Sequence, residues 1–91
     1  MKRCYVITFD LKNPGINQDN LVGSIKSAQS WARLGSNSFL ILSNLESVSI
    51  RTNLLKHIYQ GDKLYVGKLD NSAAWFGLDN DVSNWIRNNQ K

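Results

Sequence analysis

The residue in this 91-residue chain best suited to chemistry is Asp10, which closes the apolar run of YVITFDLKNPGIN, residues 5–17. A carboxylate between a strand and a turn has two uses. It accepts backbone N–H bonds from the loop that follows, as an Asx-turn, or it offers hard oxygen ligands to a divalent cation such as Mg²⁺. One carboxylate is little for a metal. Two, brought together across a twofold axis, would suffice if water and a phosphate completed the shell. The metal would then lower the pKa of a bound water and clamp the phosphodiester, with no side-chain base required. Without a metal the paired acids would repel, and one of them would tend to hold a proton.

The other chemical side chains are sparse. Cys4 is the single cysteine and His57 the single histidine, so neither an internal disulfide nor a zinc cluster is available within one chain. Cys4 reads as a buried core thiol, and His57 as a surface or boundary residue of a helix. Asp19 reads as a favourable charge at a helix N-terminus, and Asp79 and Asp81 as caps of a last helix. Lys12, Arg33 and Arg51, with Lys2 and Arg3, are either phosphate contacts or ordinary surface charges. Trp31 and Trp75 either stack on bases or fill a core or an interface.

The elements that position these residues follow from the hydropathy pattern. RCYVITF, residues 3–9, is β-branched and aromatic, hence a first strand. Asn13-Pro14-Gly15 breaks the chain and predicts a loop over 11–16. Asn17 or Asp19 then caps a helix over about 18–29, with Leu21, Ile25 and Ala28 on one face. Trp31–Leu34 and Ser38–Ser43 form a hairpin around Gly35-Ser36-Asn37, residues suited to positive φ. Ser47 caps a second helix reaching Tyr59, with Ile50, Leu54, Leu55 and Ile58 as its stripe, and Gly61 ends it. KLYVGKL, residues 63–69, is the fourth strand, with Gly67 marking a bulge. A final helix starts near Asp79 and carries Val82, Trp85 and Ile86. The order β-α-β-β-α-β predicts an α+β, ferredoxin-like fold with an antiparallel sheet and a short C-terminal strand or helix extension, all within one domain spanning 1–91.

A sheet with one wet face alternates apolar and polar residues. These strands do not: Tyr5, Ile7 and Phe9 alternate with Cys4, Val6 and Thr8. Two helices cover one face, so the second needs the tail (residues 71–91), another subunit, or both. A twofold homodimer packed sheet to sheet is the simplest supply, with Tyr5, Phe9 and Trp75 at its interface.

The chain is 42% hydrophobic and 20% charged, with net charge +4 and a pI near 9.5. The basic balance favours polyanionic partners. No apolar run approaches the ~20 residues that span a bilayer. Asp10 interrupts the first apolar run too early for a signal peptide, which implies a cytoplasmic protein with no membrane partner.

Taken together, VITFDL ending on Asp10, the Trp-bearing hairpin, the helix entered at Ser47 with Ile50-Arg51 and Leu54, the Asp-Lys-Leu strand and the Ala-Trp tail resemble the SinR-like small proteins. These are grouped with the CRISPR-associated adaptation nucleases of ferredoxin-like fold. The resemblance implies a homodimer with facing sheets. It also implies a strand-one Asp, here Asp10, at the dimer cleft, where Mg²⁺-dependent endonuclease chemistry or non-catalytic duplex holding takes place. Two features depart from those relatives: a polar first helix, with Lys26 as its basic residue, and a Trp-bearing helical tail in place of a fifth strand. The competing expectation is a non-catalytic interaction protein, an antitoxin or immunity protein that blocks a partner.

Overall fold

The computed structural model describes residues 2–90; Met1 and Lys91, the ends of the expected domain, lie outside the described residues. The elements run β1 (Arg3–Asp10), α1 (Pro14–Ile25), β2 (Ser30–Gly35), β3 (Ser38–Ser43), α2 (Ser47–Leu54), a 3₁₀ turn (Leu55–His57), β4 (Lys63–Lys68) and α3 (Asn80–Asn89). The strands form one antiparallel sheet in the order β2-β3-β1-β4. This is the ferredoxin-like topology, extended at the C-terminus by a helix. No helix among the described residues is long and apolar enough to cross a membrane.

The alternation of β1 divides the protein. Tyr5, Ile7 and Phe9 join Phe39 and Ile41 beneath Leu21, Ile25, Ile50 and Leu54 of the two helices. Phe9 and Phe39 stack at 6.5 Å between centroids. Each fully buried large apolar side chain here stabilises the fold by ~1.5–3 kcal/mol. Tyr5 is 1% and Phe9 4% exposed. The Tyr5 hydroxyl donates to the Leu45 carbonyl at 2.6 Å and accepts from Arg3 Nε at 3.1 Å. Both residues therefore belong to the core under this chain's own helices, not to the interface of the sheet-to-sheet dimer at which the sequence pattern placed them.

Local boundaries shift for identifiable reasons. The first helix begins at Pro14, not near 18, because proline suits the first helical position, where its missing N–H leaves no bond unmade. Asn17 is consequently inside the helix rather than capping it. The β2–β3 turn uses no positive φ; the register instead shifts between Arg33 and Gly35. Glu46, not Ser47, precedes the second helix, and it makes no side-chain cap bond. Gly61 does take positive φ, 92°, in the turn before β4. Gly67 pairs in register with Val6, without a bulge.

The second sheet face, bearing Cys4, Val6, Leu40, Leu42 and Ala32, is partly covered by the tail and α3. Asp79 caps α3 by accepting the Val82 N–H at 3.0 Å. Ile86 is buried, and Trp85 Nε1 donates to Ser30 Oγ at 2.8 Å, which fixes the helix against β2. Gln90 Nε2 donates to the Asp70 carbonyl at 2.8 Å and closes the tail on itself. Tail and helix thus supply within one chain part of the cover that the sequence pattern left open between tail and partner.

Two stretches distant in sequence, the loop after β1 with the start of α1 and the turn before β4, meet at one carboxylate. Asp62 accepts from the backbone N–H of Lys12 at 2.8 Å, from the backbone N–H of Tyr59 at 2.9 Å and from Asn17 Nδ2 at 2.9 Å. Asn17, 2% exposed, also donates to the His57 carbonyl at 2.6 Å. The Tyr59 and Lys12 N–H groups hold the Asp62 carboxyl below its usual range. A depressed folded-state pKa adds stability that is present above the unfolded value of about 3.9 and is lost as pH falls through the folded one. Urea unfolding of Asp62→Ala beside the native chain is expected to show a destabilised variant at neutral pH. The gap should stay constant above about pH 5 and narrow below about pH 4.

Candidate functional site at the Asp10 end of the sheet

Asp10 lies on the second face, on the part that tail and α3 leave uncovered. Antiparallel register places it opposite Lys63, with Thr8 opposite Tyr65 on one side and Ser38 on the other. Thr8, Phe9, Asp10, Lys63, Leu64 and Tyr65 line a shallow hollow of about 170 Å³. Ser38 Oγ donates to Thr8 Oγ1 at 3.3 Å, and the Phe9 N–H reaches the Asn37 carbonyl at 3.1 Å. The hairpin tip, the start of β4 and the loop after β1 therefore share one end of the sheet.

The loop-holding role open to Asp10 belongs to Asp62. The N–H of Lys12, two residues beyond Asp10, bonds Asp62, and Asp10 accepts no side-chain hydrogen bond from the described residues. Its carboxylate is exposed, and nothing in the fold depends on it. For a metal, one chain offers a single carboxylate facing a lysine, and no group of three His, Cys, Asp or Glu side chains forms among the described residues. That donor set does not fit a Mg²⁺ cage, which wants several hard oxygens.

The expected phosphate contacts separate. Lys12 is exposed near the Asp10 end, its side chain lying along Gly61. Arg33 is committed to its own hairpin: Nε donates to the Gly35 carbonyl at 3.0 Å, Nη2 to the Ser36 carbonyl at 2.9 Å, and the guanidinium covers Phe39. Arg3 is likewise held, by the Asn44 carbonyl and by Glu46 at 3.1 Å. Arg51 is exposed on α2, away from Asp10's face of the sheet. Trp31 packs edge-on to Phe39 with Lys26 over its ring. Trp75 donates to Ser83 Oγ at 3.0 Å, with Arg87 over its ring, so it packs on this chain's α3 and stays only partly exposed.

The residue that the sequence reading missed is Tyr65. It is 62% exposed on the same face as Asp10. A Cβ built on Gly67 would lie 2.7 Å from Tyr65 Cε2, so the ring lies down over the glycine, along the sheet surface. The YVG triplet within KLYVGKL was the available signal: an aromatic and a glycine two apart share one face of a strand.

Fold and site together define a small ferredoxin-like α+β protein with a half-covered sheet face. Comparison with family models, with curated proteins and with solved structures returns no match to this chain.

Two measurements check this assignment of roles. Asp10→Asn is expected to leave stability within about 0.5 kcal/mol of the native chain, because no bond in the fold is lost; denaturant melts read this directly. Burial pushes the Cys4 thiol up to about 11, so a chromogenic disulfide reagent at pH 8 should leave it unlabelled in the folded protein and label it fully in denaturant.

Proposed function

We propose that the chain is a nucleic-acid-associated protein that acts as a homodimer, with the uncovered half of the second sheet face as its working surface. The observation that carries this reading is Tyr65, an exposed aromatic ring laid along the sheet over Gly67, beside Lys63, Thr8 and Asp10. An aromatic ring flat on a four-stranded sheet stacks on an unpaired base without regard to its identity. Lys63 and Lys12 supply charge for phosphates at the same end, and the net charge of +4 acts in the same direction. Phe76, fully exposed beside Trp75, is the contact through which two copies meet, leaving the Asp10 ends to line a shared cleft. This reading agrees with the resemblance to the SinR-like and CRISPR-associated ferredoxin-fold proteins. Metal-dependent phosphodiester hydrolysis is the extension of it that requires a second Asp10, since one chain's donors do not suffice.

The exposure of Phe76 also favours a second reading, a non-catalytic interaction protein whose partner covers that segment. Fluorescence anisotropy with labelled single-stranded RNA and DNA at low salt separates the two. Tyr65→Ala should weaken binding about 5- to 150-fold, equivalent to the ~1–3 kcal/mol of one stacked base. Gly67→Ala, which lifts the ring from the sheet, should weaken it in the same direction while the fold is kept. Added salt should weaken binding of the native chain. A native chain that binds neither polymer at low salt overturns the nucleic-acid reading. Mg²⁺-dependent cleavage lost in Asp10→Asn would establish the catalytic extension, and a monomer at all concentrations in light scattering would remove the dimer.

A further inference from the structure

The helix side of the sheet holds a cavity of about 400 Å³, bounded by the end of α1, the end of β3 and α2. Ser43, which lines it, pairs with Arg3 at the start of β1. The cavity therefore sits at the opposite end of the sheet from Asp10. Its floor belongs to the core, through Ile7, Ile41, Ile50 and Leu54. Leu45, 45% exposed, and the half-buried Ala28 add apolar surface that stays partly open. A volume of this order is that of small-molecule sites, which run from about 300 to 1,000 Å³.

The rest of the lining is polar and uncharged. Three side-chain amides reach it from three segments: Gln29 from the turn after α1, Asn44 from the loop after β3, and Asn53 from α2. All three residues are exposed, and none of the three amide groups bonds another described residue. The bond that Arg3 makes to Asn44 goes to its backbone carbonyl. Among the described residues, no lysine, arginine, aspartate or glutamate lines the cavity, in a chain that is 20% charged. The walls are set before any ligand arrives. The Tyr5 hydroxyl donates to the Leu45 carbonyl at 2.6 Å, the Leu45 N–H to Ser43 Oγ at 3.0 Å, and Ser27 Oγ to the Ser24 carbonyl at 2.6 Å. Preorganisation lowers the ordering cost on the protein's side.

Each part of this lining excludes a class of ligand. A charged ligand would lose hydration and find no opposite charge in its place. A hydrocarbon chain would displace water from three amides and leave them without partners. A sugar would set hydroxyls against the isoleucine floor. What remains is a flat ring with apolar faces and a hydrogen-bonding edge. We propose that this cavity binds adenine, as the free base or its nucleoside. The ring face packs on the aliphatic floor, and the polar edge meets the amides. An Asn or Gln amide sets a donor beside an acceptor and pairs with adenine N6 and N7 together. Asn53 takes that role, because it is carried by a helix, where a side chain is placed more precisely than on a loop. Gln29 and Asn44 serve the remaining ring nitrogens. This site is on the other face of the sheet from Tyr65, and the inference does not rest on nucleic-acid binding.

The test uses the intact protein, isotope-labelled, titrated with adenosine. Saturable amide shifts are expected in residues 24–29 and 43–54. The 7-deaza analogue lacks the N7 acceptor, and the N6-dimethyl analogue lacks the N6 donor. Each should bind about 2- to 12-fold more weakly, the effect of one neutral hydrogen bond. Asn53→Ala, at an exposed helix position that keeps the fold, should weaken adenosine binding and erase the difference between adenosine and its 7-deaza analogue. Tyr65→Ala should leave the titration unchanged, which separates this outcome from the nucleic-acid assay. Absence of shifts at the cavity with millimolar adenosine overturns the proposal. So does equal binding of adenosine and both analogues, which would mean that no edge is read. A folded Asn53→Ala variant that still discriminates against the 7-deaza analogue overturns the role given to Asn53.

Discussion

The Asp62 carboxylate is the constraint around which the working end of this protein is arranged. It gathers the loop after β1, the body of α1 and the turn before β4, through Lys12, Asn17 and Tyr59. The bonds cross 50, 45 and 3 residues of chain, so two of them close long loops that the backbone ladders leave free. Asn17 is nearly fully buried, and burial of an amide is tolerable only with partners; Asp62 and the His57 carbonyl provide them. A charged acceptor makes these bonds stronger than neutral ones. Because Asp62 holds the loop, Asp10 does not have to, and a carboxylate without structural duty is left at the sheet surface.

The same economy divides the second sheet face. The tail and α3 seat Ile86, Trp85 and Trp75 over the half of the sheet near β2 and β3, by apolar burial and two indole hydrogen bonds. The other half keeps Thr8, Asp10, Lys63 and Tyr65 open. Gly67 makes this possible, since only a residue without a side chain lets the Tyr65 ring lie down. A glycine in a strand forgoes packing and side-chain contacts; here the aromatic ring covers the gap. The outcome is a small sheet protein with one sealed core and one half-sealed face.

Much of this fold was legible along the chain. The four strands and three helices occur in the expected order, because strand and helix periods differ enough to be told apart in short segments. Asp79 caps the last helix as expected, whereas the second helical segment ends at His57 with Ile58 extended, short of the Tyr59 expected. The positive φ of Gly61 therefore serves the turn before β4 and not a helix cap. Pro14 misled in one direction only: a breaker in mid-helix is also a favoured helix start, and the sequence does not mark which. Of the candidate site, Asp10 was visible as a strand-ending acid, while Tyr65 was passed over inside an apolar run.

By itself the sequence determined the order of elements, the alternation within each strand and the basic balance of the chain, all of which depend on neighbours a few residues apart. The tertiary structure alone decided which alternating set meets the helices, and so placed Tyr5 and Phe9 in the core and Asp10 outside it. It also decided that Arg3 holds the distant Asn44 carbonyl, and that Asp62 rather than Asp10 secures the loop. Two physical reasons account for these. Period-two patterning does not orient a strand whose faces are both apolar, and hydrogen bonds across 40 or 50 residues depend on where the chain returns, which no local pattern records.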